Sequence, residues 1–383
     1  MTAAGTANIA ARTAIQSSGA IVAGADANLC APTLDLSNGS VVSHGNANLS
    51  GSGDIVNRNG RVEGASLLVA TSGNVDNQGG ALIAGVNGGT VRAGSLLNQA
   101  GTVTSSGVLD ITARQVVDST GGTIAGTGDT AVTASSVINR SGTLGSTQGS
   151  LTVQGALDNT AGKALATGDL KVAGGAIAND NGKMAGQNIL LDAGSHAFSN
   201  AGGTIQGGTG ATTLNAGSVN NAAGSITSVG TLESRTPGAI DNQHGTLAAN
   251  SAATVSGSQI NNQGGSLGSA QASLTITGPL DNTGGKTLAA TDLTATGGSI
   301  INESGQISAG QTLSIDTAGQ ALINTAGTIS GGDLSASTGS VNNRGGVIQA
   351  TRMMGVDTHG RAYDNSQNGL TVANGDLTLG TGA

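Results

Sequence analysis

Apolar residues along the chain occur in short clusters, separated by glycine, serine and threonine. Leu151-Thr152-Val153 and Leu274-Thr275-Ile276 show the two-residue alternation that is typical of half-buried β-strands. No cluster has the three-to-four-residue spacing of an amphipathic helix. The pattern therefore predicts a chain of many short strands joined by glycine-bearing turns.

One motif, apolar-x-Asn-x-x-Gly-x-apolar, recurs every 20 to 21 residues. With Ser119 filling one gap, its asparagines are Asn57, Asn77, Asn98, Asn139, Asn159, Asn179, Asn200, Asn221, Asn242, Asn262, Asn282, Asn302, Asn324 and Asn343. Three residues later follow Gly60, Gly80, Gly101, Gly122, Gly142, Gly162, Gly182, Gly203, Gly224, Gly245, Gly265, Gly285, Gly305, Gly327 and Gly346. The frame extends weakly to Gly19 and Gly39 upstream and to Asn365 downstream, where Asn368 stands in for the glycine.

In addition to the 20-to-21-residue repeat, the sequence contains a longer internal duplication. Residues 139–170 match residues 262–293 at 20 of 32 positions, with a fixed offset of 123. A protein tolerates the duplication of whole repeats when each repeat contacts mainly its neighbours, as in a solenoid. We therefore predict an all-β fold, a parallel β-helix solenoid of about 18 coils with three short strands in each. Its hand is expected to be right, as in nearly all parallel crossover connections.

The motif itself has a structural interpretation. Coils stacked about 4.8 Å apart place each asparagine above the preceding one, so we expect a ladder in which the amides bond one another and the turn backbone. The glycines are expected to have positive φ, because a β-carbon there would cost about 1–2 kcal/mol. Leu, Ile, Val and Ala are expected to form apolar columns in an interior too narrow for aromatic rings.

The repeat frame also predicts the domain organisation. We expect a single β-helix array over residues 1–383, with an irregular start at residues 1–14 and atypical last coils at residues 350–383. Met353, His359 and Tyr363 interrupt the frame in those last coils. Since open β-helix ends expose unpaired strand edges, end-to-end self-association is expected.

Composition and charge narrow the classes of function. Glycine supplies 67 of 383 residues and the only aromatic residues are Phe198 and Tyr363, which argues against an aromatic-lined ligand pocket. With 14 basic and 22 acidic residues, the chain has no basic surface for phosphate backbones, so we expect no nucleic-acid partner. Cys30 has no second cysteine to pair with and is expected to be a small buried residue. No apolar run is long enough to span a membrane or to serve as a signal peptide.

The repeat unit resembles a known family. Leu157-Asp158-Asn159-Thr160-Ala161-Gly162, repeated at residues 280–285, is similar to the haemagglutination-activity repeats of filamentous haemagglutinin. Such repeats belong to the exoproteins of bacterial two-partner secretion, which include adhesins and contact-dependent growth inhibition proteins. The resemblance implies a secreted or surface-displayed shaft, exported by an outer-membrane transporter. It also implies a role in adhesion or in presenting an effector region, without identifying the receptor on the host or neighbouring cell.

The sequence departs from that family pattern at both ends. The amino-terminal secretion domain with its Asn-Pro-Asn motifs is not found, and no Asn-Pro pair exists in the chain. The Val-Glu-Asn-Asn motif that usually precedes a toxin region is not found either. We therefore interpret the sequence as an internal shaft segment or a truncated gene product, and expect the transporter to engage a missing amino-terminal domain.

A β-helical polysaccharide-processing enzyme is the alternative, because such enzymes gather carboxylates on adjacent coils. The residue before the motif asparagine is an aspartate at Asp76, Asp118, Asp158, Asp241, Asp281 and Asp364, but never in two consecutive coils. Stacked carboxylates about 4.8 Å apart would repel by about 1–3 kcal/mol, so the alternation indicates avoidance on a solvated outer face. Paired acids for glycoside cleavage are therefore not predicted.

Other candidate chemistry is sparse. The histidines, His44, His196, His244 and His359, are scattered and are expected at surface or turn positions. No nucleophile elbow, phosphate-binding loop or calcium-binding repeat occurs. We therefore predict a non-enzymatic structural protein with no catalytic, cofactor-binding or metal-binding residues.

Overall fold

The computed structural model describes residues 1–382, in which all regular structure is β and no helix occurs. The strands stack in parallel as a β-solenoid of about 19 turns with a period of about 20 residues, which confirms the predicted fold class. One turn more than predicted arises where Thr2–Ala3 pairs with residues 22–23. The chain divides into two compact units, Met1–Ala193 and Gly194–Ala383. A single array over residues 1–383 stays a prediction.

In the first unit each coil contributes three short strands, called rows A, B and C in chain order. Row A consists of Thr2–Ala3, Ala20–Ala23, Ser40–Ser43, Arg61–Gly64, Ala81–Ala84, Thr102–Ser105, Thr123–Gly126, Thr143–Ser146, Lys163–Ala166 and Lys183–Gly186. Row B consists of Ala7–Ala10, Ala27–Cys30, Asn46–Gly51, Ser66–Thr71, Gly89–Ala93, Leu109–Ala113, Thr130–Ile138, Leu151–Asp158, Leu170–Ala173 and Ile189–Asp192. Row C consists of Ala14–Gln16, Thr33–Asp35, Ile55–Val56, Val75–Asp76, Leu96–Leu97, Val116–Asp118 and Ile177–Ala178, and the two longest strands of row B continue into it.

The second unit has the same three rows. Row A consists of Thr204–Gly207, Ser225–Ser228, Thr246–Ala249, Ser266–Ser269, Lys286–Ala289, Gln306–Ala309, Thr328–Gly331, Val347–Ala350 and Leu370–Ala373. Row B consists of Thr212–Asn215, Leu232–Arg235, Ala253–Ser256, Leu274–Thr277, Leu293–Thr296, Thr312–Asp316, Asp333–Ser337, Met354–Asp357 and Leu377–Gly380. Row C consists of Ala197–Ser199, Ser218–Asn220, Ala239–Asp241, Gln259–Asn261, Leu280–Asp281, Ile300–Ile301, Ala321–Ile323, Ser340–Asn342 and Tyr363–Asp364.

Within each unit, a strand pairs in register with the strand of the same row in the next coil. Arg61 pairs with Ala81 and Ala81 with Thr102, so one coil spans 20 residues and the next 21. Because side chains alternate across a strand, in-register pairing aligns every inward position with the inward position of the next coil. The sequence period therefore sets the register of the solenoid.

The core consists of stacked apolar columns. In row A of the first unit one buried column consists of Ile21, Val41, Val62, Leu82, Val103, Ile124, Leu144, Ala164 and Met184. Burial of apolar surface contributes about 25 cal/mol per Å², so such columns supply a large part of the stability. The expectation that no ring fits inside is wrong at Phe198, which is 2% exposed and pairs in register with Val219.

Candidate functional site

The motif asparagines lie at the corner where row C turns into row A. All fourteen predicted asparagines, and Ser119, are 0% exposed. In the first unit Asn57 Nδ2 donates to Asn77 Oδ1 at 2.7 Å, and Asn77 donates to Asn98 over the same distance. In the second unit bonds of 2.7–2.8 Å join each consecutive pair from Asn200 to Asn365. The side chains therefore form a one-way ladder within each unit, from Nδ2 to the Oδ1 of the following coil. In the first unit Ser119 interrupts it, because Asn98 donates to Ser119 Oγ.

The same amides also bond the backbone of the corner. Asn282 Nδ2 lies 3.2 Å from the carbonyl oxygen of Gly285 and 3.1 Å from that of Gln306 in the next coil. The backbone N–H of Gly285 in turn donates to the carbonyl of Asn282 at 2.9 Å, which closes a four-residue turn. Each ladder amide thus satisfies buried acceptors in its own turn and in the following coil.

The left-handed residue of this turn is not the glycine that the sequence predicted. Positive φ, between 51° and 63°, belongs to the residue before the motif glycine. These residues are Asn38, Asn59, Gly79, Ala100, Gly121, Ser141, Ala161, Asn181, Gly202, Ala223, His244, Gly264, Gly284, Ser304, Ala326 and Gly345. Several of them carry a side chain, so this corner tolerates a β-carbon at the strained position.

The motif glycines are required for a different reason, the close approach of the neighbouring coil. A β-carbon on Gly285 would overlap the backbone carbonyl oxygen of Asn262, and one on Gly80 would overlap that of Asn57. The overlap is with backbone, which cannot turn away as a flexible side chain can. The prediction of positive φ at these glycines is therefore wrong, and steric exclusion takes its place.

The last ladder turn contains one additional residue. Both Gln367 and Asn368 have positive φ there, and Gly369 is the residue whose added β-carbon would overlap the carbonyl oxygen of Asn343. The interpretation of Asn368 as the substitute for the glycine is therefore wrong. Gly369 has that role, displaced by one position, and Asn365 still accepts the amide of Asn343 at 2.7 Å.

Aspartates that precede the ladder residue form hydrogen bonds with the turn and with the preceding coil. Asp158 Oδ1 accepts the backbone N–H of Thr160 at 3.1 Å, and its Oδ2 accepts Arg140 Nε of the preceding coil at 2.6 Å. Asp76 has the same arrangement with Arg58 and is 6% exposed. The prediction of a solvated face is thus wrong at Asp76. The other five aspartates are half-buried: Asp118, Asp158, Asp241, Asp281 and Asp364.

These contacts shift the pKa of Asp158 and of Asp281. Burial raises the pKa of Asp158, but hydrogen bonds from Thr160 and Arg140 outweigh it and hold the pKa below its ordinary value of 3.8. Burial likewise raises the pKa of Asp281, while hydrogen bonds from Gln263 and Thr283 lower it below the ordinary value. Both groups are held as anions, as a structural role requires and a proton-donating role does not.

The register separates these carboxylates from one another. In the first unit Asp118 pairs with Ile138, and Ile138 pairs with Asp158. Four shallow surface grooves have volumes of about 270 to 500 Å³, and none of them is lined by more than one carboxylate. The arrangement of these aspartates therefore does not provide the paired acids of glycoside hydrolysis.

The remaining candidate residues lie on the surface. Cys30 is exposed, so the expectation that it is buried is wrong, and all four histidines are exposed as expected. Among residues 1–382, no group of three or more His, Cys, Asp or Glu side chains is placed to hold a metal ion. Over the same residues, no helix is long and apolar enough to cross a membrane.

Comparison with known proteins gives one match. A family model described as haemagglutinin repeat matches residues 2–79, 56–115, 104–174, 237–284 and 272–380. No curated protein and no solved structure matches the chain. The matched segments together span most of the sequence and include ladder turns of both units, but not those at Asn179, Asn200 and Asn221. The chain therefore belongs to the haemagglutinin repeat family, that of filamentous haemagglutinin.

Proposed function

We propose that this chain is a structural shaft segment of a secreted or surface-displayed bacterial exoprotein of the adhesin type. The observation that carries the proposal is the buried amide ladder, which repeats the same bonds from coil to coil within each unit, except at Ser119. Such a device fixes the spacing of coils and leaves the outward side chains free to vary. A shaft needs this property, because its task is to hold other regions at a distance.

The family supports this role and a non-enzymatic one. Haemagglutinin repeats form a non-enzymatic family whose members are typically secreted or exposed on the cell surface. Under this proposal an outer-membrane transporter of two-partner secretion exports the parent protein. The shaft then mediates adhesion, or presents an effector region, at the surface of a host or neighbouring cell.

Removal of whole coils tests the shaft role directly. Asn57 and Asn179 are ladder positions six coils apart, so deletion of residues 57–178 joins equivalent points of the repeat. The chain is displayed on bacteria through an amino-terminal anchor and carries a carboxyl-terminal epitope. At about 4.8 Å per coil, we expect the deletion to bring the epitope about 29 Å closer to the membrane, as measured by fluorescence quenching.

The matched control is an insertion that repeats residues 57–178 and should move the epitope outward by the same distance. An epitope height that is unchanged in both variants contradicts the shaft role. Adhesion of the displaying cells to cultured host cells is scored in parallel. The polysaccharide-processing alternative is scored by incubation of the purified chain with acidic polysaccharides, where release of shorter fragments would contradict the proposal.

A further inference from the structure

Ser119 replaces asparagine in the ladder of the first unit. Its side chain is 0% exposed, and its Oγ accepts the amide of Asn98 at 3.1 Å. An asparagine at this position would continue the ladder, because its Nδ2 would donate to the Oδ1 of Asn139 in the next coil. Serine has no such amide, and Asn139 Oδ1 is buried and accepts no hydrogen bond from any of the residues 1–382. A buried acceptor without a donor destabilises the folded chain, which favours a bound donor here.

An equivalent ladder position in the second unit shows which atoms surround this point. With the offset of 123, Ser119 corresponds to Asn242 of the second unit. Asn242 Nδ2 lies 2.7 Å from Asn262 Oδ1, 3.2 Å from the Gly245 carbonyl oxygen and 3.1 Å from the Ser266 carbonyl oxygen.

By the same offset, the equivalent acceptors around Ser119 are Asn139 Oδ1 and the carbonyl oxygens of Gly122 and Thr143. The register supports this equivalence, because Thr123 pairs with Thr143 as Thr246 pairs with Ser266. Three oxygen acceptors and one hydroxyl therefore converge where the missing amide nitrogen would be.

We propose that one water molecule binds at this point as an integral part of the ladder. The water donates one hydrogen to Asn139 Oδ1 and the other to a carbonyl oxygen of Gly122 or Thr143. It accepts the Ser119 hydroxyl hydrogen, because the Ser119 oxygen itself already accepts the amide of Asn98. Buried waters typically make about three hydrogen bonds to polar groups of this kind. A neutral ligand is favoured over a cation because none of the four oxygens belongs to a carboxylate that would offset a buried charge.

The other orphaned ladder acceptor does not offer such a site. Asn57 Oδ1 also accepts no hydrogen bond from the described residues, but the ladder position before it is Leu36, which is 1% exposed. A leucine side chain supplies neither a donor nor an acceptor. The convergence of several polar groups therefore distinguishes the site at Ser119.

Crystal structures of the 383-residue chain and of two reciprocal variants test the proposal. Ser119→Asn completes the ladder in the first unit, and Asn242→Ser opens the equivalent position in the second. In the unsubstituted chain we expect one water within about 3 Å of both Ser119 Oγ and Asn139 Oδ1. This water should disappear in Ser119→Asn, and a new one should appear beside Asn262 Oδ1 in Asn242→Ser.

Magnetisation transfer from water to amide protons near Ser119 in solution gives a second measurement that does not depend on crystals. We expect a long-lived water signal in the unsubstituted chain and its loss in Ser119→Asn. A dry site in the unsubstituted chain, with Asn139 turned to another donor, overturns the proposal. Density with ligand distances near 2.4 Å would identify a metal cation and would also overturn it.

Discussion

Asn282 donates its side-chain amide to Asn302 Oδ1 at 2.7 Å, and both side chains are completely buried. Asn282 Oδ1 accepts the amide of Asn262 from the coil before, so one residue joins three coils. Replacement by alanine removes both bonds at once. Each ladder asparagine thus satisfies a buried polar group of the coil before it and another of the coil after it.

Asn282→Ala should therefore be strongly destabilising. The variant leaves Asn302 Oδ1 without its amide donor and the buried Thr287 Oγ1 without its acceptor, Asn282 Oδ1. We expect a loss of about 1–3 kcal/mol in the free energy of unfolding for each of these two groups. Urea denaturation followed by circular dichroism gives the value. Asn374→Ala is the matched control, since Asn374 is exposed in the same unit and its removal should change stability by less than about 0.5 kcal/mol. Equal losses in the two variants would contradict the role of the ladder.

The two glycines of one turn should differ in their tolerance of alanine. Gly284 has φ of 62° and nothing within 4 Å of an added β-carbon, so Gly284→Ala should cost only about 1–2 kcal/mol. Gly285→Ala drives a methyl group into the carbonyl oxygen of Asn262 and should cost more, because the backbone of the preceding coil must move. Thermal denaturation of both variants checks the order of the midpoints. A Gly285→Ala variant as stable as Gly284→Ala would refute the steric explanation.

Acidic and apolar residues alternate from coil to coil at the position before the ladder residue. Ile138 pairs in register with Asp118 on one side and with Asp158 on the other. Ile138→Asp would stack three carboxylates about 4.8 Å apart, at a cost of about 1–3 kcal/mol for each neighbouring pair. Ile138→Asn is the control of similar shape without charge.

The difference between these two variants should depend on pH and salt. Neighbouring carboxylates raise the pKa of a new carboxyl group, so the repulsion is present at neutral pH and is relieved as the pH falls and the groups are protonated. Urea denaturation at pH 7 and pH 3, with and without 1 M salt, measures this difference. A gap between the variants that stays constant in all conditions would mean that charge is not the cause.

Acid should also destabilise the unsubstituted chain through its bonded aspartates. The pKa of Asp281 is lowered from 3.8, so its contribution is fully present above that value and is lost as the pH falls through the lower folded pKa. Asp281→Asn should therefore weaken the fall of the thermal midpoint below pH 4. Asp376→Asn, at an exposed site, is the control and should leave the pH profile unchanged.

The sequence predicted the coil period and the ladder positions because both depend on one repeated residue type. It did not predict the conformation of the motif glycine, since glycine is selected both by positive φ and by close approach of a neighbouring backbone. A signal for the correct position was present in the residue before it, which is often Asn or Gly, as at Asn59 and Gly79. The burial of Asp76 and of Phe198 depends on partners in adjacent coils, which the period alone does not specify.

The coil is the unit of structure, and the ladder holds successive coils in register. The most direct test compares two deletions in the first unit by their thermal unfolding. Removal of residues 57–76 takes out one coil and joins Val56 to Asn77, the equivalent ladder position. We predict that this variant keeps a β-type spectrum and a cooperative transition within about 5 °C of the unsubstituted chain. Removal of residues 57–66 alone, half a coil, should abolish that transition or lower it severely. Similar unfolding of the two variants would contradict the account.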